Sequence, residues 1–271
     1  MSELVFTSPK VLVTGATDGV GYATARRFVD EGATVYLHAP DQDSGEKAMT
    51  RLVKDGAEPL CFYLVVAGFT RLGEVARLAG TLATTLPALD VLVNNAAVAA
   101  PERRTYTQHG QKLTFQVNYL APYLLTTKLV PRLASAGGRV VNVSSAMHSG
   151  GISSRRTQQA TGTGRWRLTR NPSSPRRCTR SRWLRPAVLR SPRSAFIPAC
   201  SGPSCCPSTA ASAGRGGRTN SDHARSPTYP VVDGGYYDGL SLAKAAALVE
   251  NPHARSRLTK FSAHLVESAL R

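Results

Sequence analysis

The stretch from Thr14 to Gly21 has the residue types needed to bind a phosphate group. It reads Thr-Gly-Ala-Thr-Asp-Gly-Val-Gly and lies between a short apolar run and a segment with helical periodicity. Glycines let the backbone turn tightly and approach a pyrophosphate, whose charge then faces the free N–H groups and the positive dipole end of the helix. A tight turn without a ligand is the alternative. The predicted binding residues are Gly15, Thr17, Asp18, Gly19, Val20 and Gly21.

Three further polar motifs lie at predicted strand ends or in a predicted helix. Asn94-Asn95-Ala96 closes the fourth strand, Asn142-Val143-Ser144-Ser145 ends the fifth, and Asn118 interrupts an apolar helix. Ligands of an open parallel sheet bind outside the carboxyl ends of its strands. The two strand-end motifs are therefore predicted to share one edge with the glycine loop. A simple turn at Asn94 and a structurally satisfied asparagine at Asn118 are the alternatives.

Alternating strand and helix patterns must position these motifs. Short apolar runs predict strands at Lys10–Thr14, Thr34–His38, Cys61–Val66, Asp90–Asn94 and Gly138–Val143. This alternation predicts an α/β fold, a doubly wound, Rossmann-like parallel sheet in a single domain. Residues 1–151 are predicted to form its dinucleotide-binding βα units and residues 228–271 its C-terminal helical part. The latter is predicted to contain helices at Ser241–Glu250 and from Pro252, the second docking through Leu258, Phe261, Leu265 and Val266.

The segment at residues 152–227 differs in composition from the rest of the chain. Between Ser153 and Ser226 there are 15 Arg, no Lys and one acid, Asp222, so this stretch carries +14 of the net charge of +17. It lacks strand or helix periodicity, which predicts an irregular Arg/Ser/Pro-rich segment in place of the later strands. Its charge permits counterion-release binding to nucleic acid, but no recognisable module accompanies it. Without such a module we expect no specific nucleic-acid partner. Its cysteines lack paired ligand spacing, so we also expect no metal site.

Together, the four motifs resemble those of the short-chain dehydrogenase/reductase family, and its retinol-dehydrogenase-like members in particular. Thr-Gly-x-x-x-Gly-x-Gly, Asn-Asn-Ala, the helix Asn and Asn-Val-Ser-Ser follow in family order over about 135 residues. The resemblance implies hydride exchange between an alcohol and a carbonyl, with NAD or NADP bound at the glycine loop, Asn94 and Ala96. It also implies that Ser145 hydrogen-bonds the reacting oxygen and that Asn118 holds a helix carbonyl and water for proton relay.

The family's catalytic Tyr-x-x-x-Lys pair is missing where the resemblance places it. No Tyr and no Lys occur between Ala146 and Ser226. Permitted codons for Leu168–Pro175, read from the third base, encode Tyr-Ala-Gln-Ser-Lys-Leu-Ala, and the same offset within Ser194–Ser201 encodes Val-His-Pro-Gly-Val-Phe. Two family motifs in one offset and in order indicate a shifted reading frame from about Gly151 to about Thr228. A nucleotide-binding pseudoenzyme and, less favoured, a basic nucleic-acid-binding protein are the alternatives.

Two departures from the family pattern concern the adenosine half of the cofactor. The end of the second strand, His38-Ala-Pro-Asp41, has neither the acid that favours NAD nor the Arg that favours NADP, so this preference stays open. Gly68 stands where the family usually has an Asp that hydrogen-bonds the adenine edge. The sequence therefore predicts weakened adenine binding.

The expected location follows from the absence of long apolar runs. No run approaches the roughly 20 apolar residues of a membrane span, and the N-terminus lacks signal-peptide features. We therefore expect a cytoplasmic protein without a membrane span. The resemblance implies that its partner is a small-molecule alcohol or carbonyl substrate. Homo-oligomerisation is left open.

Overall fold

The computed structural model describes residues 8–99, 101, 103–144, 194–198, 232–238, 240–245 and 247–271. Its strands are β1 (Lys10–Val13), β2 (Thr34–Ala39), β3 (Phe62–Val66), β4 (Val91–Asn94), β5 (Arg139–Ser144), β6 (Ser194–Pro198), β7 (Gly235–Asp238) and β8 (Ser241–Ala243). Its helices are α1 (Gly19–Asp30), α2 (Gln42–Lys54), α3 (Leu72–Thr85), α4 (Leu113–Phe115), α5 (Ala121–Ser135), α6 (Ala247–Glu250) and α7 (Pro252–Leu270). A π-helical turn at Gln116–Leu120 joins α4 to α5.

The strands form one sheet in the order β3-β2-β1-β4-β5-β6-β7-β8. Each neighbouring pair from β3 to β7 is parallel, and β8 runs antiparallel to β7. The chain order reverses between β1 and β4, where Val11 is in register with Val35 on one side and Val91 on the other. Such a reversal is the switch point at which an open α/β sheet binds ligands. The predicted doubly wound fold is confirmed.

Helices cover both faces of the sheet, and the residues of β1 divide between two cores. Val11 and Val13 belong to a buried cluster that includes Phe28 of α1 and Leu52 of α2. Leu12 belongs to the opposite cluster, which includes residues of α3, α5 and α7. Successive strand residues face opposite sides, so burial on both faces makes the strand continuously apolar. This is why the apolar runs predicted the first five strands correctly.

The C-terminal part differs from the sequence expectation in three places. Strand β6 lies inside the segment for which no regular structure was predicted, where it pairs with β5. Residues Ser241–Ala243 form a strand on the edge of β7, and the following helix is confined to Ala247–Glu250. An unpaired strand edge offers backbone hydrogen bonds that local helix propensity cannot outweigh.

Helix α7 docks on the core through a face that the apolar pattern placed slightly wrongly. It begins as predicted, with the Asn251 side chain accepting from the Ala254 amide at 3.1 Å. The buried face is centred on Ser262, whose hydroxyl lies 2.7 Å from the Tyr119 hydroxyl, whereas Phe261 is 42% exposed. Because serine is not apolar, the apolar pattern gave no sign that Ser262 is buried. The predicted face was therefore centred too close to Phe261. Within the described ranges, no helix combines the length and apolar character required to cross a membrane.

Candidate functional site

The glycine loop joins β1 to α1, and its glycines are required for different reasons. A Cβ on Gly15 would lie 2.7 Å from the Cα of Ala96, and one on Gly21 would collide with the Gly15 carbonyl. These two glycines therefore permit close backbone packing. Gly19 has a φ of +54°, and a Cβ there would meet nothing within 4 Å. Gly19 thus faces open space, and a phosphate can approach its backbone there.

The N-terminus of α1 faces the same open space. Asp18 is the N-cap residue, and its carboxylate accepts a hydrogen bond from the Gly19 amide at 2.6 Å. Thr17 and Val20 on either side are partly exposed, and the first turn of the helix contains no acid. The unbonded amides of a first helical turn and the helix dipole attract an anion. The predicted loop residues therefore lie together, although the Asp18 carboxylate adds a negative charge beside them.

Replacing Asp18 with asparagine tests this opposing charge. Asn caps a helix about as well as Asp, so Asp18→Asn keeps an acceptor for the Gly19 amide. It removes a repulsion of about 0.8 kcal/mol for unit charges about 5 Å apart in water. We expect NADH to bind about fourfold more tightly, as measured by the fluorescence of the bound nucleotide. Glu58→Gln, which neutralises an exposed acid before β3, is the control and leaves the affinity unchanged.

Thr14 and Asn95 lock the glycine loop to the end of β4. The buried Thr14 hydroxyl donates to the Val93 carbonyl (3.2 Å) and accepts from the amides of Asn95 (2.9 Å) and Ala96 (3.0 Å). In return, the Asn95 side-chain amide donates to the carbonyls of Thr14 (3.0 Å) and Gly15 (3.1 Å). The sequence did not indicate that Thr14 and Asn95 position the glycine loop. The one available signal was Asn95 itself, the second Asn of the Asn-Asn-Ala motif. The two loops therefore form one continuous edge.

The side chain of Asn94 lies in the interior and not at this open edge. Its Nδ2 donates to the Thr126 hydroxyl of α5 at 3.0 Å and to Oδ1 of Asn142 in β5 at 2.9 Å. Asn94 is 6% exposed, so its side chain ties two strands to a helix. Of the two residues predicted from this motif to bind the cofactor, Ala96 lies beside the glycine loop. The Asn94 side chain is not brought there.

His38 connects the glycine loop to the loop after β3, a role that the sequence did not indicate. Its Nδ1 accepts from the Gly15 amide at 3.1 Å, and its Nε2 lies 2.9 Å from the Ala67 carbonyl, to which it donates. The ring also packs on Phe69, with centroids 4.3 Å apart. Burial lowers the pKa of His38 to about 4, against the opposing effect of the Ala67 hydrogen bond. The imidazole is therefore neutral near pH 7 and able to accept the Gly15 amide proton.

This lowered pKa predicts a stability loss on mild acidification. Between pH 6.5 and about 4, His38 binds a proton in the unfolded chain but not in the folded protein. The free energy of unfolding therefore decreases as the pH falls. We expect a loss of about 3 kcal/mol over this range, measured by urea unfolding. His38→Asn should flatten that pH dependence, whereas His253→Asn, which alters an exposed residue of α7, should not. The same slope in wild type and His38→Asn would contradict the prediction.

Asn118 lies in the π-helical turn between α4 and α5 and holds the loop that follows β4. Its Oδ1 accepts from the Val98 amide at 2.8 Å, and its Nδ2 donates to the Val98 carbonyl at 3.0 Å. Both hydrogen bonds of the Asn118 side chain thus go to the backbone of a single residue, Val98. π-Helical turns within helices frequently occur at functional sites. Ser145 lies outside the described residues, as does most of the segment at 152–227. The roles predicted for Ser145 and for Asn118 in a proton relay therefore stay predictions.

A carboxylate lies beside Gly68, the position at which the family's usual Asp is missing from this sequence. The Gly68 amide donates to Oε2 of Glu74 at 2.6 Å, and the Nε of Arg71 lies 2.6 Å from Oε1 of the same carboxylate. Asp41, two residues after β2, is the N-cap residue of α2 and accepts from the Ser44 amide at 2.8 Å. The ends of β2 and β3 therefore present two carboxylates and one paired guanidinium.

Comparison with known proteins agrees with this geometry. The sequence profile of the family described as short chain dehydrogenase matches residues 9–160, more than half of the 271-residue chain. Dehydrogenase/reductase SDR family member FEY of Arabidopsis thaliana is 33% identical over 52% of this chain and 39% of its own length. Mouse retinol dehydrogenase 13 is 34% identical over 55% of this chain and 45% of its own length. The chain therefore spans less than half of the length of these two relatives.

A solved structure shows a partial likeness in three dimensions. A short-chain dehydrogenase/reductase of unknown function from Caenorhabditis elegans, solved with cofactor, is 29% identical. The match covers 55% of this chain and 56% of that one, with a TM-score of 0.46. The strand order and switch point described above carry the assignment of the fold.

Proposed function

This chain belongs to the short-chain dehydrogenase family, and we propose that its described part binds NAD or NADP for an oxidoreductase that interconverts an alcohol and a carbonyl. The observation that carries the proposal is the open space at Gly19, next to the N-terminus of α1 at the switch point of the sheet. A backbone-lined space at such a position suits the pyrophosphate of a dinucleotide.

The residues around the loop fit this group. The pyrophosphate would lie against the backbone from Gly15 to Gly21, while Thr14, Asn95 and His38 keep that backbone in place. When bound, the nicotinamide ring supplies the hydride donor or acceptor. Ala96 would line the same edge, because its amide is held by the Thr14 hydroxyl at the carboxyl end of β4.

The proposal includes impaired chemistry in the chain as written. Ser145 would hydrogen-bond the reacting oxygen and Asn118 would serve the proton relay, but the sequence contains no Tyr or Lys from Ala146 to Ser226 to donate or accept the proton. A shifted reading frame between about Gly151 and Thr228 accounts for this gap. A small-molecule alcohol or carbonyl substrate and a cytoplasmic location belong to the same proposal. The name of retinol dehydrogenase 13 supports an alcohol substrate.

Titration with reduced cofactor tests the proposal directly. We expect NADH or NADPH fluorescence to change on addition of protein and to saturate. Circular dichroism on the same sample shows whether the protein is folded. Unchanged fluorescence at millimolar cofactor with a folded sample would overturn the proposed function.

A pseudoenzyme and a nucleic-acid-binding protein are the competing proposals, and the charge of the segment at 152–227 makes the second testable. If the 15 Arg between Ser153 and Ser226 result from a shifted frame, DNA binding should be weak and independent of sequence. It should also fall steeply with salt because it rests on counterion release. Fluorescence anisotropy with several duplexes at low and physiological salt measures both properties. A sequence-selective complex at physiological salt would favour the nucleic-acid function.

A further inference from the structure

We propose that Glu74 of α3 recognises the adenine of the cofactor by accepting a hydrogen bond from its 6-amino group. The inference rests on the proposed cofactor-binding function and adds a specificity-determining residue to it. It replaces the expectation that Gly68 leaves the adenine edge without a carboxylate. Because NAD and NADP share adenine, it is independent of the choice between them.

The position of Glu74 follows from how a dinucleotide crosses the switch point. In such sheets the pyrophosphate lies at the first helix, and a residue about 20 positions beyond the glycines reaches the adenosine ribose. Here that distance leads to Pro40 and Asp41, directly after β2. The adenosine half therefore extends towards β3, the next strand of the sheet. The loop between β3 and α3 carries Gly68 and leads to Glu74.

Polar groups of three elements converge at Gly68. A Cβ built on this glycine would lie 3.0 Å from Oε2 of Glu74, 3.6 Å from a guanidinium nitrogen of Arg71 and 3.7 Å from the Pro40 carbonyl. The Glu74 carboxylate thus stands where an aspartate at position 68 would project its side chain. Arg71 and the Gly68 amide fix its orientation through one oxygen each. An ionised carboxylate has about four acceptor positions, so it retains capacity for an amino group.

The cleft beside this carboxylate is large enough to admit a purine. It has a volume of about 600 Å³, and it is lined by five polar residues (Asp41, Arg71, Glu74, Arg77, Thr81) and five apolar ones (Pro40, Leu64, Val65, Val66, Leu78). Ligand sites of this size typically combine apolar walls with a few polar groups that set orientation. A flat base can pack on the apolar part of this lining, and its exocyclic amine can donate to an acceptor position that the Glu74 carboxylate retains. Hypoxanthine has a carbonyl at the same position and would face the carboxylate with like partial charge.

The alternative is that the contacts of Glu74 only stabilise the start of α3. Comparing the binding of adenine and hypoxanthine dinucleotides distinguishes this role from recognition. A structural role for Glu74 weakens the binding of adenine and hypoxanthine dinucleotides equally. A recognition role weakens only the adenine form. A hydrogen bond to a charged group corresponds to about 10-fold or more in affinity.

The experiment compares NADH with reduced nicotinamide hypoxanthine dinucleotide by fluorescence titration of the full chain. We expect wild type to prefer NADH by about 10-fold and Glu74→Gln to lose most of this preference, because its amide can donate to the hypoxanthine carbonyl. Glu46→Gln, which neutralises an exposed acid of α2, is the matched control and keeps the preference. The double variant Gly68→Asp/Glu74→Ala returns a carboxylate to the same place and should restore it.

The outcomes distinguish the role of Glu74 from cofactor binding itself. Equal affinity of wild type for both dinucleotides, or an unchanged preference in Glu74→Gln, would overturn the role of Glu74 while cofactor binding stands. Failure of folded wild type to bind either dinucleotide would overturn the proposed function and this inference with it. The comparison within wild type needs no substitution, so it holds even if a variant does not fold.

Discussion

Gly19→Asp is expected to abolish the binding of NADH and NADPH. The new side chain would enter the space that the structure leaves open beside the loop, because a Cβ at Gly19 meets nothing within 4 Å. The exposed Asp18 carboxylate acts through water, but a carboxylate at position 19 would lie between the backbone and the pyrophosphate, where like charges about 4 Å apart near a protein surface repel by about 4 kcal/mol. The affinity should therefore fall by more than about 100-fold. Fluorescence titration of both nucleotides measures it.

Gly32→Asp provides a closely matched control for this substitution. Gly32 also has a positive φ, +76°, and open space around its Cβ position, but it follows the opposite end of α1. The two variants therefore carry the same type of backbone strain and the same added charge. We expect Gly32→Asp to bind both nucleotides like wild type, with a small loss of stability. Equal loss of binding in both variants would mean that strain and not blocked phosphate approach is responsible.

The sheet and the glycine loop could be predicted because their signals are local. Buried parallel strands are apolar on both faces, and runs such as Val11–Val13 therefore stand out from their surroundings. The glycine spacing also follows from local requirements. Gly15 and Gly19 have positive φ values, which favour glycine. Element order then placed both features at the switch point without knowledge of any distant contact.

The polar contacts of the site could not be predicted in the same way. His38 looks like an ordinary residue of β2 until the fold brings the Gly15 amide and the Ala67 carbonyl to its two ring nitrogens. Asn94 and Asn95 are adjacent and chemically identical, yet strand alternation and the loop after β4 send one inside and the other to the glycine loop. Glu74 is six positions from Gly68, and the turn into α3 makes them neighbours. Such partners depend on tertiary structure.

Restoring the alternate reading frame between about Gly151 and Thr228 is expected to produce an active enzyme. The chain as written contains Ser145 and Asn118 but lacks a Tyr and Lys to transfer the proton. General acid–base catalysis typically contributes about 10² to 10⁴ in rate. We therefore expect turnover by the written chain to be lower by at least this factor. The measurement is nicotinamide absorbance with a panel of alcohols, aldehydes and ketones.

Two comparisons show whether the missing pair is the cause. In the repaired chain, Ser145→Ala should remove most activity while leaving NADH or NADPH binding intact, because its hydroxyl is proposed to contact the reacting oxygen and not the pyrophosphate. In the written chain, cofactor binding without turnover would separate lost proton transfer from lost folding. The described glycine loop makes that result expected, since its contacts lie among residues 14–96. Equal and substantial turnover by the written and repaired chains would contradict the role assigned to the missing Tyr and Lys.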